Sequence, residues 1–423
     1  MNILHYTLGV PPVRSGGLVN IVLQIAIEQT KDNNTIVLLW PGEISRSKKT
    51  KIVKEKEVFG IESYRIVNPL PVTIMDGISE PKYLVERKDA YQFVELLKKN
   101  NIEVLHIHTF MGLPLEYLIE AKKIGIKIFF TTHDYYGLCP KTILFNDKNC
   151  DKDNKNCGKC LSSSPSFKKV LLKQSRIYFL LRKCIPKKIL YFLKNDKGNE
   201  SKEINQKDIL TMEKYYNEMF GLIDCFHFNS FISKMVYEER LGNIRGKVIP
   251  LFANIRKQRE CVSYHTKINI GFIGGNGKYK GLDNLIKQVK LSKNENIVLH
   301  IFGIKRNEKF ILCHPPYKYA EIKDVICKLD VIVIPSLWKE TFGLGTVEAF
   351  SFNRPVIVSD FVGSKMLVSD NNGWVYSCDS ELKSILAGLN IKDIIDKSNF
   401  IKENYSYNVK KFLGEIYQMY KEG

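Results

Sequence analysis

Acidic residues are in short supply: 45 Asp+Glu stand against 64 Lys+Arg, leaving a formal net charge of +19 over 423 residues. Such an imbalance requires a polyanionic partner, and nucleic acid, an anionic membrane surface or a phosphorylated substrate would each serve. Long apolar runs are also missing. No window of about 18 apolar residues escapes interruption by Lys or Arg, which excludes an evident membrane-spanning helix. Met1–Leu8 enters a strand-like run with neither a basic leader nor a small-residue cleavage site, so no secretory signal is expected. Internal repeats and low-complexity tracts are lacking too. Ten cysteines in such a chain are expected as free thiols or metal ligands rather than as a disulfide framework. What remains is ordinary globular composition, 44% hydrophobic and 26% charged, and the length suits two or three domains.

Short β-branched runs alternate with segments of helical period. Asn2–Leu8, Thr35–Trp40, Val104–His108, Lys127–Thr132, Cys225–Phe228 and Lys247–Leu251 read as strands. Helices are expected from Gly17, over Leu113–Lys123 and over Ser230–Leu241. A second series follows, with strands Ile268–Ile273, Ile297–Phe302, Asp330–Pro335 and Pro355–Ser359 and helices Gly281–Leu291 and Tyr319–Leu329. This alternation predicts an α/β protein with two parallel sheets, each covered by helices on both faces. The polar segment Arg256–Lys267 separates them, so domains are expected at 1–258 and 259–404. Ligands of such sheets bind beyond the carboxyl ends of the strands, and two facing domains enclose a cleft.

The richest stretch runs from Asp330 to Phe350. A buried strand ends at Pro335, a loop carries Glu340, and a helix begins near Gly343–Gly345. Unpaired amides and the positive end of the helix dipole face the cleft there, and the glycines let a phosphate approach the backbone. Glu340 precedes those amides; Glu348 lies about one turn inside the helix. Carboxylates on both sides of an anion site suit a ligand with hydroxyls on both sides of a phosphate, which is a nucleotide-sugar.

This stretch resembles the Glu-x7-Glu signature of family-4 retaining glycosyltransferases, matched by Pro335, Ser336, Trp338, Glu340, Phe342, Gly343, Glu348 and Ala349. The resemblance implies the GT-B fold, two doubly wound Rossmann-like domains facing across a cleft, and a nucleotide-diphosphate-sugar donor. It implies that Glu340 contacts the donor sugar, that Glu348 holds the ribose diol, and that the amides of Phe342, Gly343 and Leu344 hold sugar and diphosphate. Lys280-Gly281 matches the family's Lys-Gly before a helix and puts Lys280 at the same anion site. Gly275 occupies the usual Arg position, a missing charge that Lys278 or another residue would have to replace. Gly16-Gly17 resembles the family's glycine loop near the donor phosphate and acceptor. His133 stands where relatives carry a His that touches the donor sugar; His108 also ends a strand, and His106 is expected to make structural hydrogen bonds. Asn229-Ser230 and Pro250–Asn254 match landmarks of structural character. In this fold a helix such as that in 405–423 commonly crosses back to the first domain.

No second carboxylate motif appears on the N-terminal side, so double displacement of the glycosidase kind is not expected. The family's chemistry is a same-face transfer in which the leaving phosphate helps take the acceptor proton. In that picture no cofactor or divalent metal is required, and Lys280, the amides near Gly343 and the Gly16-Gly17 loop stabilise the developing charge. Family habit points to a glycan acceptor, a lipid-linked intermediate of capsule, O-antigen or exopolysaccharide synthesis at the cytoplasmic face of a bacterial membrane. A GT-B epimerase or phosphorylase is the alternative enzyme. A nucleic-acid-binding protein with a zinc knuckle is the remote one, and it leaves the Trp338–Glu348 pattern unexplained.

Two further features bear on partners. Cys139, Cys150, Cys157 and Cys160, in an insertion at 139–160, are spaced C-x10-C-x6-C-x2-C; four thiolates there could close a structural zinc site, or remain free thiols. Asp151-x-Asp153 reads as a solvated loop. Ser164–Lys197 holds ten Lys/Arg and one acid, Asp196, a local charge of +9. Val170, Leu171, Ile177, Tyr178, Leu181, Cys184 and Ile185 would share one helical face opposite Lys169, Lys173, Arg176 and Lys183, until Pro186 breaks the helix. A basic amphipathic segment at 164–197 suits an anionic membrane surface; a helix packed on its own domain is the plainer alternative.

Overall fold

The computed structural model describes residues 1–423 except 46, 48, 147, 151–156, 177, 179–203, 254–266 and 407. Two sheets organise it. The first has eight strands, in the order Gly246–Val248, Cys225–Phe228, Lys127–Thr131, Val104–Ile107, Asn2–Tyr6, Thr35–Pro41, Glu62–Val67 and Lys51–Lys54. All neighbours are parallel except the last pair. The second has six parallel strands, in the order Ile311–His314, Ile297–Phe302, Ile268–Phe272, Val331–Ile334, Val356–Ser359 and Gly373–Tyr376.

Burial explains why these runs pair in parallel. Every residue of Val104–Ile107, Cys225–Phe228 and Ile268–Phe272 is buried, and only helices on both faces can cover a strand so completely. In each sheet the strand order reverses beside the series' first strand. Asn2–Tyr6 lies between Thr35–Pro41 and Val104–Ile107, and Ile268–Phe272 lies between Ile297–Phe302 and Val331–Ile334. The loops that leave these two strands therefore open at topological switch points, where doubly wound sheets bind ligands. One loop carries Gly16-Gly17 and the other carries Lys280.

Helix Val409–Glu422 packs on the first sheet's side of the molecule. Asn408 caps it by accepting from the amides of Lys410 and Lys411. Its Phe412, Leu413, Ile416, Met419 and Tyr420 are buried with Ile3, Val22, Ile25 and Phe129. At roughly 1.5–3 kcal/mol per large apolar side chain, that face anchors the chain end firmly.

Several elements differ from expectation. Tyr319–Leu329 is not one helix: a 3-10 turn, Tyr319–Glu321, leads into a short helix, Ile322–Ile326. The strands Lys51–Lys54, Glu62–Val67, Ile311–His314 and Gly373–Tyr376, at or next to a sheet edge, were not legible, because polar residues interrupt their apolar runs. The expected continuous amphipathic helix is also corrected. Helix Phe167–Lys173 ends at Gln174, whose side chain accepts from the Val72 amide at 3.0 Å and donates to the Gly42 carbonyl at 3.0 Å. Phe167 stacks on Tyr83 and Val170 is buried, so this opening turn packs on its own domain. Most of the rest of that segment, Asp151-x-Asp153, and the expected boundary at 258/259 lie outside the described residues.

Candidate functional site

A cavity of about 700 Å³ opens between the two sheets and is lined from both. Gly16, Gly17, His133 and Asn229 come from the first half; Lys280, Glu340, Phe342, Gly343, Leu344 and Glu348 come from the second.

Backbone pairing brings the second set together. The Leu337 amide donates to the Tyr279 carbonyl at 2.8 Å, tying the loop after Ile268–Phe272 to the loop after Val331–Ile334. Gly281 permits that approach: it sits at φ 76°, and a Cβ there would lie 1.8 Å from the Pro335 carbonyl oxygen. As a result Lys280 Nζ donates to Glu340 Oε1 at 2.6 Å, and Ser336 Oγ donates to Glu340 Oε2. Lys280 also lies 5.7 Å from the Trp338 ring centroid, within cation–π range. Gly343 turns the chain at φ 90°, where a Cβ would meet Val362 at 2.6 Å. Around this turn, the amides of Phe342, Gly343 and Leu344 make no hydrogen bond among the described residues. A cationic side chain and three open amides border one volume, a setting that attracts a polyanion. Lys318 is a second lysine lining the cavity; Gly275 and Lys278 are not among the lining residues.

Glu348 is buried in helix Gly345–Ser351, and desolvation raises its carboxyl to about 7, opposed by the Tyr319 hydroxyl. Tyr319 also interacts with Gln24 across the cleft. Sequence reasoning missed Tyr319 in this role, because nothing local marks a residue that meets its partner only through folding.

The two halves touch directly beside the site. Thr341 Oγ1 donates to the His133 carbonyl at 2.7 Å, Ser230 Oγ to the Thr341 carbonyl at 2.6 Å, and the Tyr135 hydroxyl to the Lys339 carbonyl at 2.7 Å. A Cβ on Gly17 would come within 3.2 Å of Leu344. Ser230 also caps helix Phe231–Leu241. Asn229 donates to the Thr132 carbonyl at 2.9 Å, while its buried Oδ1 has no partner among the described residues.

Among the described residues, His5, His106 and His108 are the one group of three His, Cys, Asp or Glu whose ligand atoms lie within 4.8 Å of one another. All six of their ring nitrogens are already hydrogen-bonded, to Gln29, Tyr420, Thr131, His133 and each other, so no vacant metal-ligand set is on offer there. None of Cys139, Cys150, Cys157 and Cys160 is in a disulfide. Cys157 is pushed up to about 12 by burial and by Cys139, Glu213, Cys160 and Cys150, which places the four in one neighbourhood.

Two facing α/β units with a site at both switch points define a GT-B fold, and solved structures share it. Sucrose-phosphate synthase from Thermosynechococcus elongatus superposes with a TM-score of 0.61 at 12% identity, covering 100% of this chain and 98% of that one. Anabaena HepE in complex with UDP and glucose gives 0.57 at 12% identity, covering 99% and 98%. An α,α-trehalose-phosphate synthase (UDP-forming) from Burkholderia xenovorans, in complex with glucose-6-phosphate, gives 0.58 at 11% identity, covering 100% of both.

At the level of sequence, residues 254–391 match the family described as glycosyl transferases group 1. A 41.2 kDa protein in the cps region of Klebsiella pneumoniae is 23% identical over 288 residues, 66% of this chain and 65% of that protein. A 42.6 kDa protein in the same region is 21% identical over 287 residues, 65% of this chain and 62% of that protein. The chain thus spans under two-thirds of the length of these relatives. No helix among the described residues is long and apolar enough to cross a membrane.

Proposed function

We propose that this chain is a family-4 retaining glycosyltransferase, moving a sugar from a nucleotide-diphosphate-sugar to a glycan acceptor. One observation carries this reading: Lys280, the open amides of Phe342, Gly343 and Leu344, and the carboxylates Glu340 and Glu348 converge on one cavity at both switch points. The matched family covers all six of these residues, and HepE binds UDP and glucose on the same fold.

In this mechanism the diphosphate lies against Lys280 and the open amides, with Lys318 a candidate for the charge missing at Gly275. Glu340, held by Ser336, accepts from donor-sugar hydroxyls, and Glu348 accepts from the ribose diol. Lys280 exchanges its Glu340 partner for phosphate as the bond to the anomeric carbon breaks, so charge is stabilised where it develops. The acceptor hydroxyl attacks from the same face, and the departing phosphate oxygen takes its proton. No cofactor takes part.

The cps-region relatives support a capsule or related surface polysaccharide as the product; with it goes the proposal that the acceptor is lipid-linked and met at the cytoplasmic membrane face. The basic stretch 164–197 is proposed to rest on anionic lipid. Thiolates suit zinc in donor chemistry; no three of the Cys139, Cys150, Cys157 and Cys160 sulfurs lie within 4.8 Å of one another here, and a structural zinc with no part in transfer is proposed to draw the four together.

Glu340→Ala and Lys280→Ala should each abolish transfer to a glycan acceptor while leaving the circular-dichroism spectrum unchanged. Near-normal turnover in both folded variants refutes the assignment. Consumption of the donor that proceeds equally without acceptor favours the epimerase or phosphorylase instead.

A further inference from the structure

The histidines of the first sheet are not accounted for by the cavity. His5, His106, His108 and His227 are each at most 1% exposed, and burial holds them neutral. His5 and His227 are lowered to about 4, His106 and His108 well below the ordinary value, and the adjoining His133 to about 3. Their hydrogen bonds form a series with a fixed end. The Ile249 carbonyl can only accept, so its 2.8 Å bond to His227 makes Nε2 the protonated nitrogen of that ring. His227 Nδ1 must then accept, and the Thr131 hydroxyl donates to it at 2.9 Å. With its one proton committed, Thr131 accepts from His106 Nε2 at 2.7 Å. His106 Nδ1 is therefore an acceptor, and the Tyr420 hydroxyl donates to it at 2.6 Å.

Tyr420 has only lone pairs left for Gln29, with which it interacts. The Gln29 amide nitrogen consequently turns toward Tyr420, although it does not reach full hydrogen-bond geometry, and Oε1 turns toward His5. Gln29 Oε1 accepts from His5 Nε2 at 2.7 Å, His5 Nδ1 from His108 Nε2 at 2.9 Å, and His108 Nδ1 from His133 Nε2 at 3.0 Å. His133 lines the cavity, and its remaining nitrogen, Nδ1, makes no hydrogen bond among the described residues. Reversing the whole series would set a bare His227 nitrogen against the Ile249 carbonyl, two acceptors face to face.

We infer that this relay, anchored at the Ile249 carbonyl and passing through Tyr420 and Gln29, holds His133 as the Nε2-protonated tautomer with its Nδ1 lone pair offered to a hydroxyl of the bound sugar. The sugar clause rests on the function proposed above; the tautomer does not. Tyr420 and Gln29 act as positioning residues, and they link the helix that carries Tyr420 to His133 in the cleft.

The test is the imidazole 1H–15N long-range correlation spectrum of the free, full-length, 15N-labelled protein, with His133 assigned by the signal lost in His133→Gln. The expected spectrum shows His133 protonated at Nε2 and bare at Nδ1. Tyr420→Phe, which keeps the ring in its packing, should shift both His133 nitrogens toward a mixed or reversed tautomer. Tyr420→Phe combined with Gln29→Glu should restore the original pattern, because a carboxylate can only accept from His5. An Nδ1-protonated His133 in the unaltered protein overturns the relay, as does a tautomer indifferent to Tyr420→Phe or a double variant that restores nothing. Absence of transferase activity would overturn the proposed function and leave this spectrum unaffected.

Discussion

Replacing Glu348 by Gln tests the electrostatics of the site most directly. Burial raises the Glu348 carboxyl from 4.5 to about 7, so at neutral pH it is poised between an acid and a carboxylate. The stability consequence has a definite sign. Below pH 4.5 the group is protonated in both folded and unfolded chains and carries no penalty. As pH rises from 4.5 to about 7 the unfolded chain releases the proton first, and folding loses stability until both states are ionised. At about 1.36 kcal/mol per pH unit, that loss approaches ~3 kcal/mol. Gln cannot ionise and can still accept from the Tyr319 hydroxyl. Glu348→Gln should therefore gain on the parent protein by that amount as pH is raised from about 4.5 to about 8, read from urea unfolding at each pH.

The same titration should appear in binding. A carboxylate accepts both hydroxyls of a ribose diol, whereas the protonated acid cannot. Apparent affinity scales with the ionised fraction, so with a carboxyl at about 7 the parent protein should bind a nucleoside diphosphate about tenfold more tightly at pH 8 than at pH 6. Isothermal calorimetry with UDP at pH 6, 7 and 8 measures this. Asp134, also raised to about 7 by burial, and the ligand's own phosphate titrate in the same window. Both are common to parent and variant, so the difference in slope isolates Glu348. Parallel pH profiles in the two proteins would refute the assignment of Glu348 to the diol.

Two other predictions concern partners. Protein purified without added metal should carry about one zinc per chain by atomic emission, and Cys157→Ser should lose it; a metal-free preparation that is fully folded removes the zinc proposal. Vesicles containing anionic lipid should sediment the protein in low salt and release it as ionic strength rises, while neutral vesicles should not. Equal retention on both vesicle types would detach the +9 segment from the membrane.

Much of the site could be read from local sequence. The strand–loop–helix around Glu340 and Glu348 and the Lys280-Gly281 step are short-range patterns, since open amides, glycine turns and helix starts are set by neighbours in the chain. The central strands were equally legible, because parallel strands buried on both faces are unbroken apolar runs. Edge strands such as Lys51–Lys54 and Ile311–His314 were not: they are partly exposed, and their identity comes from the strand beside them. In the basic stretch the helical period runs on through residue 174, yet Gln174 is drawn into bonds with Val72 and Gly42, and helix Phe167–Lys173 ends there.

By itself, then, the sequence determined the class of fold, the two glycine-bearing loops and many of the residues that line the cavity, all properties of contiguous segments. Tertiary structure alone decided which residues far apart in the chain would share those groups. It set Tyr319 beside Glu348, joined Thr341 to His133, and lined up Tyr420, Gln29 and four buried histidines in one series ending at His133, hydrogen-bonded except for the looser approach of Gln29 to Tyr420. No local pattern encodes such pairings. A buried polar group must find a partner wherever the folded chain supplies one, and the identity of that partner exists only once the sheets have packed.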